Sequence, residues 1–423
     1  MGEAGMRGPG AKYVAATGPA PASRIDRNGR RERERRIAAY AAVAITLLSA
    51  LFFWAGPNLS RDWLARRQDS EVPPGQVPAS GVQQPEEAGA SARRLAPLEK
   101  ALGAKGVYLT MDSAGTPSSM ASLVAFMRRH EDLNCMVIDV KDNSGRIPTG
   151  APPGIQAPAA GYDHFPALIR VLHDREGYYL IARIVAFQDP FRATAVPERA
   201  IRNADGSLWR DRDGRLWLNP YDKANWEYVK DIALWAVDMG FDEVQLDYVR
   251  FPDSAQGLEK TGAVLMPGSS DFQGRSDAIV SFLKYMAGTL DGKAYLSADI
   301  FGFVTIAVDD MGIGQRLEDI AAAVDFISPM VYPSHYYNAG IYGFEVPEAH
   351  PYEVVSKAMD QAIQRTQGLK AKIRPWIQDF SMKIHYGPAE VQGQIRALSE
   401  HDIHSFMLWN PANVYTDGVK YGY

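Results

Sequence analysis

Apolar residues recur along most of the chain as short runs, and stretches with helical spacing lie between them. Runs of strand type stand at 106–110, 135–140, 178–184, 243–248, 295–299, 326–330, 373–377 and 406–409. Helical spacing covers 118–129, 223–239, 277–290, 316–323, 351–367 and 388–400. The clearest helix, 223–239, sets Trp226, Val229, Ile232, Ala233 and Val237 on one face, with Gly240 where a C-terminal cap belongs. Several strand runs are continuously apolar rather than alternating, as in a parallel sheet covered on both faces. Strands alternating with helices predict right-handed βαβ units. Eight such units match an α/β fold of the (β/α)8 TIM-barrel type with insertions, whose usual size is about 250 residues. A doubly wound open sheet is the alternative, but the glycine patterns that cradle nucleotides are missing. Residues 207–218 predict a small hairpin turning at Asp213-Gly214, and 252–275 a second long insertion.

The first hundred residues break this pattern. Residues 37–56 (IAAYAAVAITLLSALFFWAG) carry no charge and are almost wholly apolar. Twenty helical residues reach about 30 Å, the thickness of a bilayer's hydrocarbon core. The Arg-rich block 30–36 precedes them and Phe52, Phe53 and Trp54 end them. These features predict a single-pass membrane helix with a cytoplasmic N-terminus and an extracytoplasmic body. A cleaved signal peptide is the alternative. The expected organisation is a basic tail over 1–36, a transmembrane helix over 37–56, a Pro/Gly/Ser-rich linker over 57–103 and a barrel over 104–423.

Charge sharpens that division. The net charge of −5 hides a tail with nine Lys/Arg against four Asp/Glu, a balanced linker and a body of about −10. An acidic body argues against nucleic acid as a partner. One cysteine among 423 residues excludes an intramolecular disulfide, and neither a zinc signature nor another cofactor motif is present.

In a (β/α)8 barrel the chemistry sits at the C-terminal ends of the strands. Those ends carry Asp139 and Lys141, then Arg183, then Asp247, Tyr248 and Arg250, then Asp299, then Tyr332 and His335, then Trp376 and Gln378, and last Trp409 and Asn410. Rings that pack on sugar C–H faces, together with groups that bond hydroxyls, suit a carbohydrate. Glycoside hydrolysis needs two carboxyl groups, and neighbouring strands four and five supply Asp247 and Asp299. Asp247 interrupts an apolar run, where a charge without purpose is costly, and Arg250 is a candidate ion-pair partner for it. The other residues named are candidate substrate contacts, with no metal ligand among them. The expected partner is a polysaccharide or oligosaccharide.

The chain also resembles a largely uncharacterised bacterial glycoside-hydrolase-like family with a TIM-barrel domain. The resemblance runs over about 104–420 and is carried by GVYLT at 106, VIDVKD at 137, ARI at 182, LNP at 218, QLDYVRFP at 245, LSADIFG at 296, ISPMVYPSHY at 327 and LWN at 408. It implies a glycosidase-like barrel. A more distant similarity to the α-amylase-like barrels implies a nucleophile at Asp247 and an acid/base at Asp299. Gln245 stands where those enzymes have arginine, and Asp299 where they have glutamate. A non-catalytic carbohydrate-binding or envelope protein on a degenerate barrel is the second reading. A metal-dependent polysaccharide deacetylase is the third.

Overall fold

The structure is a computed structural model that describes residues 95–422 apart from 153 and 337–340. The expected basic tail, the membrane helix and the linker up to residue 94 lie outside the described residues. No helix among the described residues is long and apolar enough to cross a membrane.

Eight parallel strands close into a barrel. They are β1 (Lys105–Leu109), β2 (Cys135–Lys141), β3 (Tyr179–Val185), β4 (Glu243–Asp247), β5 (Tyr295–Phe301), β6 (Phe326–Met330), β7 (Lys372–Ile373 and Trp376–Gln378) and β8 (Phe406–Trp409). Each pairs with its neighbours in chain order, and β8 returns to β1 with Gly106 opposite Met407. Closure decides against the open doubly wound sheet. β7 is split because Pro375 has no N–H to give the ladder. Its first half pairs with β6, and Trp376 bridges Met330 of β6 and Met407 of β8.

Among the described residues the longest helix after each of the first seven strands is, in turn, α1 (Pro117–Arg129), α2 (Phe165–Asp174), α3 (Lys223–Met239), α4 (Arg275–Leu290), α5 (Leu317–Ala321), α6 (Pro351–Thr366) and α7 (Pro388–Glu400). In α3 the Asp222 side chain accepts from Ala224 N, and Gly240 ends the helix at φ 123°, a conformation that favours glycine. The sequence reading misses α2, whose buried stripe is short (Phe165, Ile169, Leu172) and whose first turn holds Pro166. The hairpin expected at 207–218 forms as a tight turn, with Gly214 N donating to Asp211 O and Arg210 opposite Leu216. Val264–Leu265 of the second insertion pairs antiparallel with Arg202–Asn203.

Two apolar layers result. One lies between strands and helices, and a smaller one fills the barrel with Tyr108, Val137, Ile181, Phe326, Trp376 and Met407. The N-terminal end of the barrel is plugged. Residues 98–102, assigned by composition to the linker, form a short helix there with Ala101 fully buried. Arg374, also fully buried, donates to Glu243 at 2.8 and 2.9 Å and to Ala101 O at 2.9 Å. Tyr179 OH donates to the same carboxylate at 2.8 Å. Removing one member of a buried pair strands the other charge. Arg374→Met is therefore expected to cost about 3–5 kcal/mol of stability, read from urea or thermal unfolding. The double variant Arg374→Met/Glu243→Gln should recover much of that loss. A single variant as stable as wild type would contradict this role.

Candidate active site

Alternation along each strand sends every second side chain into the barrel. Asp139, Arg183, Asp247, Asp299, Trp376 and Trp409 thereby meet at the C-terminal mouth, beside Tyr108 of β1. Arg183 is the centre of the group. Its Nη1 donates to Asp139 Oδ1 at 2.6 Å, and its Nε and Nη2 donate to Asp247 Oδ2 at 3.1 and 2.5 Å. The Tyr108 and Trp409 rings each lie 5.5 Å from the guanidinium and stack on one another at 4.1 Å. Tyr108 OH donates to the other Asp139 oxygen at 2.7 Å. Burial still pushes Asp139 up to about 6, against the pull of Arg183 and Tyr108.

Asp247 Oδ1 accepts from the backbone N–H of Tyr248 at 2.6 Å. Tyr248 sits at φ 48°, in the left-handed region that bulky residues rarely enter. The kink lets both Tyr248 and Arg250 line the pocket with Asp247.

Asp299 lines the same pocket and is 1% exposed. Trp376 Nε1 donates to its Oδ1 at 2.7 Å, and Gln315 Nε2 donates to its carbonyl at 3.2 Å. Burial, and then the negative charge of Asp247, pushes the Asp299 carboxyl well above the usual aspartate range. One carboxyl paired with arginine thus stands beside one whose surroundings favour its protonated form. Environments that separate two carboxyl groups in this way assign acid and base roles.

Phe301, Phe303, Met330, Tyr332, His335 and Tyr336 form the remaining wall. Burial pulls His335 down to about 3, so its imidazole is neutral at neutral pH; its Nδ1 shares a 2.8 Å hydrogen bond with Ser334 Oγ. Gly302 lets β5 approach this wall: a Cβ there would meet Met330 O and Tyr336 Oη at 2.5 Å.

Nine of the predicted site residues therefore line one pocket: Arg183, Asp247, Tyr248, Arg250, Asp299, Tyr332, His335, Trp376 and Trp409. Asp139 supports them from behind Arg183. Three others do not reach it. A β-bulge between Asp139 and Lys141 shifts the register, so Lys141 pairs with Ile184 and leaves the barrel interior. Its ammonium is spent on Asp189 at 2.9 Å and Val185 O at 2.6 Å. Gln378 is saturated by Ser334 N, Glu348 and Phe380 O, which ties the loop after β6 to β7. Asn410 closes a turn onto Asp379 O and Val414 O. The expected Arg250–Asp247 pair is also replaced, because Arg183 on the adjacent strand takes that place. Tyr108 escaped the sequence reading although it lies on the inward face of β1, as did Phe301, the last residue of β5, and Tyr336, in the loop after β6. Among the described residues no three His, Cys, Asp or Glu side chains converge as metal ligands would, which gives the deacetylase reading no donor set there.

Residues 106–415 match the family described as "Putative glycosyl hydrolase domain". None of the curated proteins matches the chain. Among solved structures, a hypothetical protein from Ruminiclostridium thermocellum ATCC 27405 is 31% identical, covers 49% of this chain and 98% of its own, and superposes with a TM-score of 0.41. The PgaB (BpsB) glycoside hydrolase domain from Bordetella bronchiseptica is 13% identical over 73% of this chain and 94% of its own, with a TM-score of 0.52. A β-galactosidase from the psychrophilic Marinomonas ef1 is 14% identical over 73% of this chain and 54% of its own, with a TM-score of 0.50. At these identities the last two share the barrel fold.

Proposed function

The chain belongs to the putative glycosyl hydrolase domain family, and from that premise we propose that it cleaves glycosidic bonds of an extracytoplasmic polysaccharide with Asp247 and Asp299. The observation that carries this reading is the contrast between them: Asp247 paired with Arg183, Asp299 buried with its carboxyl pKa pushed up, in one pocket walled by aromatic rings. Asp299 gives its proton to the leaving oxygen as the glycosidic C–O bond breaks. Asp247 either attacks the anomeric carbon, forming an ester that water then hydrolyses, or takes a proton from the attacking water. Arg183 and Asp139 are positioning residues that hold Asp247. Trp376, Trp409 and Tyr332 offer faces for sugar rings.

The proposal includes a membrane anchor over 37–56. Its support is the uncharged apolar run, the Arg-rich block before it and the aromatic residues at its end.

The test is hydrolysis of a polysaccharide panel by the full chain in detergent, with the product anomer followed by NMR. A single anomer from wild type and turnover lowered by at least about a hundredfold in Asp247→Asn and Asp299→Asn is the expected result. Retention of configuration would make Asp247 the nucleophile, and inversion the base. Glycan binding by all three proteins with turnover by none would instead favour a non-catalytic carbohydrate-binding protein.

A further inference from the structure

Five Lys or Arg side chains are buried among the described residues: Lys141, Arg183, Arg215, Arg250 and Arg374. Four have a carboxylate within 4.0 Å, namely Asp189, Asp139 with Asp247, Asp213 and Glu243 in turn. Arg250, 6% exposed, has none among the described residues. Its guanidinium donates to Phe251 O at 3.1 Å. Rings surround the rest of it: Trp217 at 4.8 Å, Phe301 at 4.8 Å and Tyr248 at 5.3 Å from the guanidinium carbon. Burying a cation without a carboxylate is costly, and the cation–π contacts offset only part of that cost.

The cation also faces the reacting groups. Arg250 lines the pocket with Asp247, Asp299 and Tyr248. Two residues before it, Tyr248 holds a left-handed backbone, an uncommon and strained conformation for such a residue. The carboxylates of Asp253, Asp247 and Asp211 act on Arg250 only from beyond 4.0 Å, and burial still lowers its pKa against their pull. A planar guanidinium lining an aromatic-walled pocket matches the geometry of an oxyanion, which it binds through paired N–H···O bonds.

We infer that Arg250, framed by Trp217, Tyr248 and Phe301, is a subsite for an oxyanion on the substrate sugar, a carboxylate or a sulfate ester. The inference rests on the hydrolase reading and narrows its substrate class to acidic sugars. It also runs against the net charge of the body, since a local cation within an acidic protein selects for an anion that the distant field only weakly repels.

The test is binding to the full chain in detergent, followed by intrinsic tryptophan fluorescence, because Trp217 touches the guanidinium. D-glucuronate, D-glucose 6-sulfate and D-glucose serve as probes. Glucuronate or the sulfate is expected to bind at least tenfold more tightly than glucose. Arg250→Gln should abolish that preference, and Arg250→Lys should retain part of it. Preference for glucuronate alone names a uronic acid, and preference for the sulfate alone a sulfated sugar. Equal binding of all three probes by wild type, no binding of any, or a preference that survives in a folded Arg250→Gln overturns the inference. A preference lost in Arg250→Gln without hydrolysis of any glycan would sink the hydrolase reading and keep the subsite. Hydrolysis of neutral glycans with no acidic preference would do the reverse.

Discussion

Replacing Asp247 with asparagine or alanine should lower turnover of an aryl glycoside by about 10⁴–10⁶-fold, the range seen when a residue central to covalent catalysis is removed. The asparagine variant keeps the shape of the side chain, and its oxygen can still accept from Arg183, which occupies the space between β2 and β4. It should fold and bind substrate with nearly unchanged affinity, so the loss should appear in kcat rather than KM. The alanine variant opens room for a small anion. Added azide should then restore turnover and yield a glycosyl azide, which mass spectrometry detects. A folded Asp247→Asn protein with more than a tenth of wild-type activity would remove Asp247 from the chemistry.

Asp299→Asn should cost about 10²–10⁴-fold, the usual worth of a general acid. The loss should depend on the leaving group. Substrates whose leaving oxygen is a good anion need no proton, so a dinitrophenyl glycoside should lose far less than a natural oligosaccharide. The pH profile adds a second signature. Burial and Asp247 raise the Asp299 carboxyl well above the usual range, so activity should fall as pH climbs through that raised value. The basic limb should vanish in Asp299→Asn. Stability should move in the same direction. The native state holds this proton more tightly than the unfolded chain, so the stability it supports is complete below the ordinary aspartate range and is lost as pH rises through the raised value. Asparagine carries no such charge and still accepts from Trp376 Nε1. The variant is thus expected to melt above wild type at alkaline pH, and an unchanged melting profile across pH 5–9 would deny Asp299 its perturbed state.

Much of the site was legible because period two and strand order are simple. Asp247 and Asp299 end neighbouring strands, and their side chains point inward as the alternation requires. Trp376 and Trp409 follow the same rule. Failures came where the backbone departs from that rule. Lys141 lies two residues after Asp139 and reads as inward, yet the bulge between them turns it to Asp189 on the outer side. Gln378 does face inward, but its amide is consumed by loop backbone and Glu348, partners that lie 2 to 44 residues away. No local pattern announces such a network.

The sequence by itself determined eight strands alternating with helices and the strand ends where polar residues gather, because hydrophobic periodicity is a local property of the chain, whereas closure of the sheet into a barrel was decided by the structure. It also supplied the apolar stretch and Arg-rich flank on which the proposed anchor rests. Only the tertiary structure decided which charges compensate which. Arg183, not Arg250, pairs with Asp247, since guanidinium and carboxylate come from adjacent strands 64 residues apart. That pairing leaves Arg250 among three rings with no carboxylate within 4.0 Å among the described residues, and it leaves Asp299 buried beside a negative charge. Electrostatic states of this kind depend on distances across the barrel and on exclusion of water, and neither exists until the sheet has closed.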